Sequence, residues 1–277
     1  KIRSKIAYIF EADPEDIIFT SGSSESTNIV FNNIYEKFKN GRVVISNVEH
    51  QATTICANKL RKQNWDIYEW TVNNDGILNI SNIENILNND TKLVSIIWGQ
   101  SEIGTIQPVQ FIGSKCEELN IMFHLDGTQI LSNGIFSWKD LKCDFLSLSA
   151  HKFGGPKGIG ILLTKEKSRQ ILKNNDISLT QEFSIRQGTQ ALPLIAGMYE
   201  SLKNIKGKIK EPHKNLRLAW AVVLGILPAV LVLYSDHSVA LDLILITSLP
   251  LLFIYPLMAV SITVSYTHLT LPTSDLV

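Results

Sequence analysis

The stretch SLSAHKFGGPKGIGILL, residues 147–163, joins two apolar runs through a turn that holds one lysine, Lys152, between a histidine and a Gly-Gly pair. The runs Phe145–Ser149 and Ile159–Thr164 read as buried strands, too continuously apolar to face water. A lone loop lysine is ordinarily a solvated one. Its meaning here depends on what the other strand ends carry.

The same rhythm extends outward in both directions. Ile17–Thr20, Val43–Ser46, Ile67–Trp70, Leu93–Trp98 and Met122–Leu125 read as further strands, making seven. Ser24–Phe38, His50–Gln63, Ile80–Leu87 and Val109–Leu119 carry helical patterns, and Asn73-Asn74-Asp75-Gly76 marks a turn. Strands separated by helices in this way predict an α/β fold: a mainly parallel sheet with helices on both faces. In such sheets ligands bind beyond the carboxyl ends of the strands, so chemistry should collect just past each apolar run.

Composition narrows the function classes. The 277 residues carry 26 basic and 26 acidic side chains, so no polyanion partner such as nucleic acid is implied. Cys56, Cys116 and Cys143 form no C-x-x-C pair, which argues against a disulfide framework or zinc site and fits a reducing, cytoplasmic compartment. The polar start at Lys1 has no apolar signal core, and the absence of an initiator methionine leads us to expect a fragment.

Three other strand ends complete the pattern. In FTSGSSESTN, residues 19–28, Gly22 allows a tight turn and Ser23 and Ser24 open a helix. That is a ready seat for a phosphate, or an ordinary N-cap. No Walker sequence or dinucleotide fingerprint is present. In FHLDGTQ, residues 123–129, Asp126 closes a strand, and its carboxylate needs a cation, either a protonated ring nitrogen or an arginine. Gln129 is placed to bond a ring substituent, and His50 of NVEHQ could stack on a flat ligand or be structural. A phosphate seat, a ring-nitrogen carboxylate and a lysine whose amine is released by burial are together what pyridoxal phosphate requires.

With these residues in view, the chain resembles the class V aminotransferase family of pyridoxal-phosphate enzymes (fold type I), most closely the cysteine desulfurases. The resemblance runs from Lys1 to about Ile205 and rests on TSGSSESTN, VEHQA, SEIGTIQP, HLDGTQ, SLSAHKFGGPKGIG and RQGTQ, in the family's order. It implies that Lys152 holds the cofactor as a Schiff base and moves the substrate's Cα proton. Asp126 would pair with the pyridinium nitrogen, Gln129 bond the phenolic oxygen and His50 stack on the ring. Ser23, Ser24, Ser149 and His151 would hold the phosphate, joined by Thr189 from the other subunit of a homodimer. The implied reaction takes L-cysteine to L-alanine and passes sulfur as a persulfide to an acceptor scaffold protein, for iron–sulfur clusters or thio-modification.

The chain departs from the family at four places. Gln100-Ser101-Glu102 replaces Asn-Asn-Glu, so Ser101 stands where an asparagine contacts the cofactor. SLTQEF replaces a glycine-rich stretch before RQGT. The N-terminal substrate-side segment and the persulfide-cysteine loop are absent, and none of the three cysteines matches that loop. The expectation is therefore an inactive truncation, 1–206, with structural cysteines.

The fourth departure is the tail. A basic linker, 207–215, precedes two apolar runs within 216–262, each about long enough to cross a ~30 Å hydrocarbon core. The positive-inside rule makes them a hairpin with residue 215 in the cytoplasm. These runs resemble the last two helices of betaine–carnitine–choline transporters, and 263–277 resembles a translated adapter end, so a chimera is expected. Two other readings stay open: another class V enzyme (selenocysteine lyase or a small-amino-acid aminotransferase), or a membrane-anchored, cofactor-free α/β binding module.

Overall fold

The computed structural model describes residues 1–173 and 181–205. All seven apolar runs form strands: β1 (Ile17–Thr20), β2 (Arg42–Ser46), β3 (Asp66–Trp70), β4 (Thr91–Ile97), β5 (Met122–Asp126), β6 (Phe145–Ser149) and β7 (Gly160–Thr164). They make one sheet in the order β1-β7-β6-β5-β4-β2-β3. β7 runs antiparallel to β1 and β6, and every other neighbouring pair is parallel. The short turn through residues 150–159 permits only an antiparallel return, whereas the parallel pairs need helical crossovers.

The described helices are α1 (Ile2–Phe10), α2 (Ser23–Phe38), α3 (Gln51–Arg61), α4 (Ile83–Ile86), α5 (Val109–Glu118), α6 (Glu166–Leu172) and α7 (Leu192–Asn204). Alternation along the strands divides the core between the two faces. Val43, Ile45, Phe145 and Leu162 pack under Val30, Phe31 and Ile34 of α2 and Ala57 and Leu60 of α3. Val44, Leu146, Leu148, Ile161 and Leu163 point the other way, with Ile6 and Phe10 of α1, Ile112 of α5 and Met198 of α7. Burying each such side chain contributes about 1.5–3 kcal/mol. Truncating Phe145, fully enclosed at the middle of the sheet, would therefore damage the α2 face most directly.

One helical expectation needs correction. Ile80–Leu87 is not one helix but a 3-10 turn, Ile80–Asn82, followed by the single turn of α4. The Asn79 side chain accepts the Ser81 amide, a local bond that competes with helical pairing in this asparagine-rich stretch. Two further helices lie at 166–172 and 192–204, past the last strand. Proline in the first turn of α7 suits a helix start, where its missing N–H costs nothing.

Of the described residues, 1–100 and 105–205 cluster as one unit, and the 101–104 turn falls outside it. The basic linker, the apolar hairpin and the adapter-like end lie outside the described residues. Among the described residues no helix is long and apolar enough to cross a membrane.

Candidate functional site

Strand register builds the site on the α2 face of the sheet. Leu93 and Phe145 form an apolar layer there with Leu162. One step nearer the carboxyl ends, Ser95 pairs with His124, and both His124 nitrogens are bonded at 2.8 Å, Nδ1 to Ser95 Oγ and Nε2 to Ser147 Oγ. Burial pushes the His124 imidazolium down to about 3, so this row is neutral. The next step up carries Ile97 and Asp126, and Ser149 closes β6 beyond them. The face thus passes from apolar to neutral polar to charged within three layers.

At the β1 and β6 ends, the ladder places Thr20, Gly160 and Ser149 side by side. The Ser149 hydroxyl accepts the Ser23 amide at 2.8 Å and donates to Ser23 Oγ at 3.0 Å. Thr20 and Ser26 hydroxyls lie 2.9 Å apart, and both donate to the Gly22 carbonyl. The N-cap of α2 is Gly22 rather than a serine, which corrects the ordinary N-cap reading and leaves Ser23 and Ser24 in the first turn. A Cβ on Gly160 would stand 2.4 Å from the Leu148 carbonyl oxygen and 2.5 Å from Gly22 Cα, so only glycine lets the α2 start come this close to the sheet. Hydroxyls and first-turn amides converge here as they do for a bound anion.

Lys152 lies in the 3-10 turn Ala150–Phe153 directly after β6, closed by Gly154 in the left-handed conformation at φ 84°. Burial lowers its ammonium below the ordinary lysine range, and the Asp126 charge opposes that shift. Asp126 is 3% exposed. Its Oδ1 accepts the Thr128 amide at 3.0 Å. Burial pushes its carboxyl up, while the Thr128 bonds and the His50 and Lys152 charges pull it back. Among the described residues it forms no ion pair within 4 Å, so an arginine partner is not what satisfies it.

His50 is the N-cap of α3 and its Nδ1 accepts the Ala52 amide at 3.1 Å, fixing the ring while its body stays exposed. Gln129 heads the 3-10 turn Ile130–Asn133 beside Asp126, and its Cβ lies in reach of Gly99. Desolvation and then the Lys152 and Lys157 charges disfavour the charged form of His151. Ser23, Ser24, Ser149, His151, Lys152, Asp126, Gln129 and His50 therefore all follow strand ends of this one sheet edge.

Two anticipated residues are not brought there in the same way. Ser101 lies in the turn outside the main unit. Thr189 is exposed in the segment after the 3-10 turn Gln181–Ser184, whose Glu182, Phe183 and Ser184 all have positive φ. That departure from a glycine-rich sequence is held by one buried acid: Glu182 takes Arg3 at 2.7 and 3.0 Å, the Phe19 amide at 2.8 Å and Gln190 at 2.6 Å. The three cysteines are buried and unpaired, and burial pushes the Cys56 thiol up to about 11 and raises the other two as well. They suit packing rather than nucleophilic work.

Sequence reasoning missed Glu49. Its Oε1 accepts the Ile97 amide at 2.7 Å and the Ser46 hydroxyl, and its enclosed Oε2 finds no hydrogen-bond partner among the described residues. Burial, reinforced by the Asp126 charge, pushes its carboxyl up to about 8. An acid placed directly after a strand, beside the histidine of VEHQ, was the available signal.

Comparison with known proteins agrees with this geometry. The family model described as aminotransferase class-V matches residues 1–230, past the Ile205 limit drawn from the motifs. The mitochondrial cysteine desulfurase of Saccharomyces cerevisiae is 33% identical over 231 residues, 82% of this chain and 46% of that protein. Cysteine desulfurase IscS of Pseudoalteromonas translucida is 32% identical over 216 residues, 77% of this chain and 53% of that one. The chain thus spans about half the length of the curated relatives it matches. Among solved structures, a NifS-like protein superposes with TM-score 0.68 at 30% identity, covering 73% of this chain and 56% of its own. SspA in complex with cysteine does so with TM-score 0.70 at 28% identity, covering 80% and 64%. The match over most of the chain, on a sheet whose strand ends carry the site, makes this chain a member of the class V aminotransferase family.

Proposed function

We propose that this chain carries the cofactor-binding half of a cysteine desulfurase-like, pyridoxal-phosphate-dependent enzyme. One observation carries the reading: a buried carboxylate, Asp126, without an ion pair among the described residues, faces a half-buried lysine at one sheet edge. The desulfurase names of the relatives give the substrate class, L-cysteine.

The residues fit the cofactor. Asp126 needs a cation, and a protonated pyridine nitrogen is one. The Ser23–Ser149 cradle, kept open by Gly160, suits a phosphate, with Ser24 and His151 beside it. Pyridoxal phosphate, when bound, supplies an aldehyde and an electron-accepting ring. Burial raises the fraction of Lys152 in the nucleophilic amine form, and Lys152 Nζ then moves a proton at the substrate's Cα. His50, fixed through Nδ1, offers its ring face for stacking, and Gln129 an amide for the phenolic oxygen. Thr189 reaches the phosphate of a second copy in a homodimer, Ser101 makes the contact of the family asparagine, and the sulfur passes to an acceptor scaffold protein.

Borohydride reduction of the chain with pyridoxal phosphate, followed by peptide mapping, should tag Lys152 alone, and Lys152→Ala should lose the tag. A tag elsewhere, or none in folded protein, defeats the reading. The proposal keeps the body, 1–206, as a partial enzyme: none of its cysteines suits persulfide formation, so alanine release from cysteine by the purified chain would contradict it. For 216–262 we propose a membrane hairpin of transporter-like, chimeric origin. A continuous genomic reading frame across codons 200–220 would refute the chimera, and recovery in the soluble fraction would refute the hairpin.

A further inference from the structure

At the carboxyl edge of the sheet β4 outlasts β2. β2 ends at Ser46, and the chain then leans toward β3: the Asn47 amide donates to the Trp70 carbonyl at 2.9 Å, and Asn47 Oδ1 accepts the Val72 amide at 3.2 Å. β4 runs on to Ile97, level with Asp126. The Trp98 amide points to β5, donating to the Asp126 carbonyl at 2.9 Å. Successive amides of a central strand serve alternate neighbours, so the Ile97 amide faces the side that β2 has left. The Glu49 side chain fills that place. Its Oε1 accepts the Ile97 amide at 2.7 Å and also the hydroxyl of Ser46, the last residue of β2. A carboxyl oxygen thus stands in for a missing backbone carbonyl and ties the 47–50 turn across the gap between two strands.

The next residue is His50. Its Nδ1 accepts the Ala52 amide at 3.1 Å, which sets the rotation of the ring. That bond lies inside the first turn of α3, so it does not fix where α3 begins relative to Asp126. Glu49 supplies this second constraint, because its anchor on β4 is the register partner of Asp126. We infer that Glu49 is a positioning residue: by spanning the gap between β2 and β4 it sets the height of His50 at the sheet edge, and with it the place of a flat ring that stacks on His50 and pairs with Asp126. The identity of that ring rests on the cofactor reading; the bridge itself rests on the two hydrogen bonds of Oε1. Burial raises the Asp126 carboxyl while the Thr128 bonds and then the His50 charge pull it down, which agrees with His50 standing within electrostatic reach of it.

The test uses the full chain, first without ligand. Glu49→Ala should speed hydrogen exchange of the Ile97 amide about tenfold or more and shift the His50 ring-nitrogen resonances. Glu49→Gln, which keeps the accepting oxygen, should leave both close to wild type. Glu49→Asp, one methylene too short to reach Ile97, should behave as alanine does and serves in its place if Glu49→Ala does not fold. Wild-type Ile97 exchange and His50 resonances in the folded alanine or aspartate variant overturn the inference. In a second arm with pyridoxal phosphate, Glu49→Ala should weaken binding about tenfold and change the circular dichroism of the bound cofactor, with rescue by Glu49→Gln. In a His50→Ala background the same substitution should cost less than about twofold, since the residue through which Glu49 acts is gone. An equal loss in both backgrounds would make Glu49 a structural residue and overturn the inference. Absence of binding by wild type would overturn the cofactor reading, and the Ile97 and His50 measurements would still decide the bridge.

Discussion

Two buried acids at opposite margins of the site show how differently a fold can treat the same chemical group. Glu182 is 3% exposed and all its needs are met: Arg3 lies against both oxygens, with the Phe19 amide and Gln190 completing the set. Arg3 is itself held over the rings of Phe19 and Phe183, 4.5 and 5.1 Å from their centroids. Asp126 is equally buried but, among the described residues, meets one backbone amide and no cation within ion-pair distance. The first carboxylate serves the fold, tying α1 to a segment with three successive left-handed residues. The second is left wanting by the fold, which is the condition for it to serve a ligand.

The largest break in that comparison should come from Glu182→Ala. It strands the Arg3 guanidinium and the Phe19 amide, and chemical denaturation should report a loss of ~3–5 kcal/mol. The neutral layer under Asp126 gives the next effect. His124 is held unprotonated down to about pH 3 when folded but takes a proton below about 6.5 when unfolded, so stability is present above that range and drains away as pH falls through it. Wild type should lose on the order of 4–5 kcal/mol across the window, and His124→Gln should flatten the profile.

Gly160→Ala should cost ~1–3 kcal/mol, because the β7 backbone must move off Leu148 and Gly22. It should also weaken inorganic phosphate binding at the α2 start, which isothermal calorimetry would detect. The smallest effect sharpens the contrast by its sign. Asp126→Asn should stabilise the ligand-free protein by ~1 kcal/mol while weakening pyridoxal phosphate binding. A destabilised Asp126→Asn variant would mean that both acids serve the fold.

Much of the architecture was legible before any coordinates. Continuous apolar runs such as Leu146–Leu148 and Ile161–Leu163 cannot be solvated on either face, so they announced buried strands. The spacing between most of them announced crossover helices, and Lys152, Asp126, Ser23 and His50 stood out because they end apolar segments. The short helices were less legible: Ile80–Leu87 has a helical pattern that the Asn79 side chain breaks into a 3-10 turn and a single helical turn, and α7 is set by packing against α1 more than by its own capping signals.

What the sequence by itself determined is the list of strands and the chemical types at their ends, because burial periodicity and turn chemistry are local properties. Only the tertiary structure decided which of those ends meet. Register set Asp126 level with Ile97 and hence with Glu49, placed Gly160 against Gly22, and withheld an arginine from Asp126 while giving one to Glu182. Those are contacts between residues tens to hundreds of positions apart. The desolvation that makes a carboxyl hold or lose its proton depends on such neighbours and not on the residue alone.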